Sequence, residues 1–153
     1  MTHATTPLDL NAFRQRSTAR FRIAVSSLYG DLDPNGHINH ARYLTYLEEC
    51  RLAFRRELAE VDPEIDGYSW PIGKLSIRYV SSLHYPQLVT VELSPVAVGR
   101  TSYTLGYGVY ADERCCAVAL TRTVRIDNAT NEAVPLTEAL AGRLSQLLSA
   151  SGT

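Results

Sequence analysis

Twelve consecutive residues carry most of the chemistry this chain offers: Tyr29-Gly30-Asp31-Leu32-Asp33-Pro34-Asn35-Gly36-His37-Ile38-Asn39-His40. Two carboxylates and two imidazoles crowded into one stretch suit four roles. Asp31, Asp33, Asn35 and Gly36 follow the opening of a calcium-binding EF-hand loop. The last position of that loop requires a bidentate Glu, however, and here it is Arg42, a cation that would repel the ion. A transition-metal site would draw on Asp31, Asp33, His37 and His40, but His37 precedes the expected helix and spacing alone does not show the four converging, so no metal site is expected. Asp, Asn, Pro and Gly also make turns and caps: Gly36 suits a positive φ, and Asn39 suits the N-cap of a following helix. The fourth role is catalytic. A helix beginning near His40 would present unpaired N–H groups and the positive end of its dipole, which favour a developing oxyanion. An aspartate just upstream could attack a carbonyl polarised there, or activate a water toward it. No G-x-S-x-G elbow offers a serine nucleophile instead.

The elements that would position this loop follow from periodicity. Phe21, Ile23 and Val25 alternate with Arg22, Ala24 and Ser26, a strand with one buried face. From His40 to about Glu60 there is no Gly or Pro. Tyr43, Leu44, Leu47, Cys50, Phe54 and Leu58 recur there at three- and four-residue intervals, predicting a helix of about twenty residues, ~30 Å long. Pro63 and Gly67 close it. Four further strands are expected around Leu75–Tyr79, Val89–Leu93, Tyr103–Val109 and Val118–Ile126, the last with Val118, Leu120, Val124 and Ile126 on one stripe that Arg122 interrupts. Pro135 precedes a short amphipathic helix, about Leu136–Leu148. A five-strand sheet has a face to cover, and one long amphipathic helix can cover it, so the fold class is α+β. Residues 1–18 are expected to be a flexible N-terminal arm, and 19–149 a single domain.

Asp33-Pro34-Asn35-Gly36-His37-Ile38-Asn39, followed by Tyr43-Leu44, resembles the D-x-x-G-H-[IV]-N-x-x-x-Y-L signature of hotdog-fold acyl-CoA thioesterases of the 4-hydroxybenzoyl-CoA thioesterase-like group. The resemblance implies a five-stranded antiparallel sheet wrapped around one long central helix, here with an extra C-terminal helix. It implies Asp33 as catalytic carboxylate, acting as nucleophile or general base, and the backbone N–H of His40 as the group that polarises the carbonyl. The implied substrate is an acyl-CoA, with an acyl-carrier protein as the other thioester carrier. It further implies a homodimer or tetramer with active sites between protomers, and no cofactor.

Other residues of the segment have both chemical and structural roles open to them. His37 could orient Asp33 or touch substrate, or join loop to helix by hydrogen bonds. Asn39, Tyr43, Tyr46 and Glu49 are candidate substrate contacts, although Asn39 also suits a cap and the tyrosines a core. Glu48 could pair with Arg51 on a solvated face. Arg78, Arg100, Arg122 and Arg125 are candidates for the phosphates of CoA. Two rival functions remain: a non-catalytic acyl-CoA-binding module, and an enoyl-thioester hydratase using Asp33 with His37.

Composition narrows the field. At 153 residues, 45% apolar and 20% charged, the chain is one ordinary globular domain. A formal charge of −1 gives no electrostatic basis for nucleic-acid binding. No membrane-length apolar run or signal-peptide layout appears, and a cytoplasmic location is expected. Three cysteines without CxxC spacing make neither a disulfide framework nor a zinc site.

Overall fold

The alternating segments become five strands, and the run free of Gly and Pro becomes the long helix. In a computed structural model describing residues 9–14 and 21–149, the order is β1 (Phe21–Ser26), α1 (Arg42–Leu58), β2 (Ile72–Tyr79), β3 (Leu88–Val98), β4 (Ser102–Ala111), β5 (Arg114–Val124) and α2 (Glu138–Ser149). The strands form one antiparallel sheet in the spatial order β1-β3-β4-β5-β2, open at both edges. The first two strands in sequence are therefore the two edges. Helix α1 lies between them in the chain, and at ~25 Å it is long enough to cross a sheet about 19 Å wide. This is the hotdog arrangement.

Helix α1 starts at Arg42 and has 17 residues, so it is shorter than its periodicity suggested. His40 and Ala41 form a turn instead. The Asn39 side chain accepts the Ala41 N–H (2.9 Å), and the Asn39 carbonyl accepts the Arg42 N–H (2.9 Å). Asn39 thus caps this entry turn, while Ala41, the residue just before the helix, offers no side-chain cap of its own. Helix α2 also begins later than expected, after Thr137, whose hydroxyl accepts the Leu140 N–H.

The face of α1 buried on the sheet carries Tyr43, Tyr46, Leu47, Cys50, Phe54 and Leu58. Leu44, expected in this stripe, is instead 38% exposed, and Tyr46 takes its place in the core. The sheet opposes α1 with Val89, Val91 and Leu93, with Tyr103, Leu105, Tyr107 and Val109, and with Ala117 and Ala119. On β5 this is the opposite parity to the one expected. Ala117, Ala119, Thr121 and Thr123 pair with the large inward residues of β4, and Val118 and Leu120 turn to the outer face. Large tyrosines and leucines on β4 leave room only for small partners on β5.

The outer face has its own cover. Of the arm, only residues 9–14 are described; the remainder of 1–18 lies outside the described residues, as do 19 and 20. Leu10–Phe13 form a short 3-10 turn packed on β4 and β5. Phe13 lies over Gly106, where any Cβ would overlap its ring, and its carbonyl accepts the Tyr110 hydroxyl. The Arg78 guanidinium donates to Asn11 Oδ1 (3.0 Å). No helix among the described residues is long and apolar enough to cross a membrane.

Candidate active site

The Tyr29–His40 segment is folded by hydrogen bonds from within and by a second segment, Ser81–Gln87, packed against it. Asp33 and His37 bracket a tight turn: the Asp33 N–H donates to the His37 carbonyl (2.8 Å), and the Gly36 N–H to the Asp33 carbonyl (3.1 Å). Gly36 closes the turn with φ of 79°, the left-handed conformation expected for it. Beyond the turn, the Asn39 N–H returns to the Asp31 carbonyl (2.8 Å), and the Ile38 N–H donates to the Leu83 carbonyl (2.9 Å).

The two aspartates of the loop have different tasks. Asp31 is buried, and its Oδ2 accepts both the Leu28 N–H (2.9 Å) and the Tyr46 hydroxyl (2.8 Å). The guanidinium of Arg42 stands 3.7 Å from its other oxygen. Burial, and then the Asp31 carboxylate, push the Tyr46 phenol far above its ordinary range, so it stays a hydrogen-bond donor at any working pH. Asp33 is only half-buried. Its Oδ1 accepts the N–H groups of Asn35 (2.8 Å) and His37 (3.3 Å), which fixes the plane of the carboxylate.

His37 therefore reaches Asp33 through its backbone. Its imidazole lies edge-on to the ring of His84, centroids 5.1 Å apart. Nothing in the sequence singled out His84, far along the chain in a Ser- and Pro-containing connection, and only tertiary packing brings it here. Ser27 and Gln87 hold the His84 backbone.

The entry turn of α1 is pinned from β2. The Tyr79 hydroxyl donates to the His40 carbonyl (2.8 Å), with its ring edge-on to Tyr43 and His40. Among the described residues none accepts the backbone N–H of His40. The first turn of α1 contains no acid, so the positive end of the helix dipole meets no carboxylate there except Asp31, through Arg42.

Tyr43 and Tyr46 are each 3% exposed. The Tyr43 hydroxyl accepts the Leu83 N–H (3.2 Å) and approaches the Ser81 carbonyl, so both phenols tie loops to α1. Glu49 is solvent-exposed on α1. A neighbouring groove of about 240 Å³ between α1 and β2 is lined by Leu44, Glu48 and Arg51, and by Ile72, Leu75 and Thr121 of the sheet. Arg125, one of the basic residues considered for CoA, is buried: it donates to the Pro135 carbonyl and stacks on Tyr68. Among the described residues, no three His, Cys, Asp or Glu side chains gather as a metal site.

Comparison with known proteins places this hotdog chain in a thioesterase-like superfamily. Residues 28–144 match the thioesterase-like superfamily, and the chain belongs to this family. A thioesterase from Thermus thermophilus, crystallised with coenzyme A and Zn, superposes with a TM-score of 0.76 at 25% identity, covering 87% of this chain and 97% of that one. A DHNA-CoA thioesterase from Staphylococcus aureus has a TM-score of 0.75 at 23% identity, over 87% and 95% of the two chains. The Pseudomonas aeruginosa protein PA5185 has a TM-score of 0.77 at 18% identity, over 87% and 94%. No match is found among curated proteins.

Proposed function

We propose that this protein hydrolyses an acyl-CoA thioester to the free acid and CoA, with Asp33 as the reacting carboxylate. The observation that carries this reading is the setting of Asp33. One of its oxygens is held by two backbone N–H groups in the turn that leads into α1, and the His40 N–H at the helix entry has no acceptor among the described residues. With Oδ1 so held, Oδ2 is the atom left to act.

In the general-base form, Asp33 takes a proton from a water whose oxygen adds to the thioester carbonyl. The His40 N–H and the helix dipole stabilise the oxyanion, a role that typically contributes ~10²-fold or more in rate. The carbon–sulfur bond then breaks, and CoA leaves as the thiol after taking up a proton. In the nucleophilic form, Asp33 adds directly and water cleaves the resulting anhydride. The Thermus thermophilus relative, with its bound coenzyme A, supports CoA as the thioester carrier here.

A homodimer is part of the same reading. β2 is an open edge with Ile72, Leu75 and Tyr79 at 37%, 41% and 44% exposure. A second copy covering it would sit beside the His40 turn that Tyr79 holds.

The test is thiol release from a panel of acyl-CoAs and an acyl-carrier-protein thioester. Asp33→Asn keeps an Oδ1 acceptor for the two loop N–H groups, so the loop should stay folded. Loss of the base should cost ~10²–10⁴ in rate. A change below about threefold would remove Asp33 from the chemistry.

A further inference from the structure

Three α1 residues at helical spacing, Leu44, Glu48 and Arg51, face away from the core stripe and form one wall of the groove against β2. Along the helix the groove runs from Leu44, in the first turn of α1, to Arg51, about two turns and ~10 Å further on. Its walls are largely aliphatic: Leu44 and Leu47 from the helix, and from the edge strand Leu75, level with Thr121 on the floor, and Ile72 beyond it. At about 240 Å³ it is smaller than the ~300–1,000 Å³ of sites that hold whole drug-sized ligands, so it suits one acyl group.

Arg51 places a cation at one end of this lining. Arg51 is half-buried and faces the Tyr107 hydroxyl, close enough to oppose the upward push that burial gives this phenol. Tyr107 in turn shares a 2.9 Å hydrogen bond with Thr121, which lines the groove floor. Along α1, Arg42 pairs with Asp31 and Arg55 with Asp66. Arg51, between them, has no carboxylate within ion-pair distance among the described residues. Glu48, one turn nearer Leu44, is exposed and does not pair with it. A guanidinium partly removed from water without a counter-charge is costly, and an incoming carboxylate would recover that cost through charge-assisted hydrogen bonds.

We propose that this groove receives the acyl group of the thioester and selects one whose far end is a carboxylate, with Arg51 as the specificity-determining residue. The proposal rests on the thioesterase reading and narrows its substrate class. Glu48, at the rim, tempers the preference through its own negative charge.

The experiment compares unsubstituted acyl-CoAs with their ω-carboxy counterparts of equal length, using the full chain and free-thiol detection. The carboxylated substrate that spans the groove should have the higher kcat/KM, by about tenfold, the effect of one charge-assisted hydrogen bond. Arg51→Met should erase that ratio, Arg51→Lys should keep part of it, and Glu48→Gln should raise it. Thermal melting checks that each variant is folded. A wild-type ratio near unity, a ratio unmoved by Arg51→Met in folded protein, or faster turnover of a phenolic acyl-CoA of similar length overturns the proposal. If no acyl-CoA yields thiol, the hydrolase reading fails, and calorimetric Kd values for the two ligands in wild type and Arg51→Met still decide the groove. Equal Kd values would then overturn it, and tighter binding of the carboxylated ligand, lost in Arg51→Met, would support it.

Discussion

The carboxylate of Asp31 and the hydroxyl of Tyr46 lie 2.8 Å apart inside the protein, and this contact ties the start of the Asp33 loop to the second turn of α1. The same oxygen of Asp31 holds the Leu28 N–H, so one side chain sets both the loop's entry and its distance from the helix. Asp31 builds the site, and Asp33 is left to act in it.

Asp31→Ala should therefore destabilise the fold. It leaves the Tyr46 hydroxyl buried without an acceptor and the part-buried Leu28 N–H without its partner, at a combined cost of ~2–3 kcal/mol. Tyr46→Phe removes only the donor and should cost about 1 kcal/mol. Urea denaturation of both variants measures this, and a loss under about 1 kcal/mol for Asp31→Ala would show that the contact does not hold the loop.

Burial pushes the Cys50 thiol up from 9.0 to about 12. A raised pKa means that the folded state binds the proton more tightly than the unfolded chain. The resulting stability is complete below about pH 9 and is lost as pH rises toward 12. The melting temperature should fall over that window by several degrees more in wild type than in Cys50→Ala. In native protein Cys50 should also resist thiol reagents. Fast labelling at neutral pH would contradict its burial.

Gly106→Ala should dislodge Phe13, because a Cβ there would overlap the ring. Overpacking of this kind costs ~1–3 kcal/mol, or else the arm detaches to avoid it. In the second case, backbone amides around Phe13 should lose protection in hydrogen exchange. Adding Phe13→Ala to Gly106→Ala should then have little further effect. Full additivity of the two substitutions would mean that the ring and the glycine do not meet.

Leu75→Lys places a charge on the exposed apolar row of β2. Edge-strand lysines block strand-to-strand association, so a dimer built on this edge should become a monomer by light scattering. An unchanged mass would send the interface elsewhere.

Much of the architecture was legible in local pattern. Alternation at Phe21–Val25 marked β1, and the absence of Gly and Pro after His40, with apolar residues at helical spacing, marked α1. The loop was legible because Asp, Asn, Pro and Gly have backbone preferences that do not depend on distant partners: Gly36 does adopt positive φ. The errors came where partners matter. Val118 and Leu120 looked like the core stripe of β5, but the large β4 residues across from Ala117 and Ala119 claim the inner space, and the described arm covers the other side. Leu44 looked buried and instead borders a groove.

Residue order alone set the type of each element and concentrated the acids and imidazoles in one loop, because backbone preference and hydrophobic period act over a few neighbours. Only the folded chain decided which aspartate is buried, that His84 stands beside His37, and that Arg51 ends a groove against Thr121. Those outcomes depend on contacts between segments far apart in sequence, where burial and geometry, rather than residue type, assign each side chain its role.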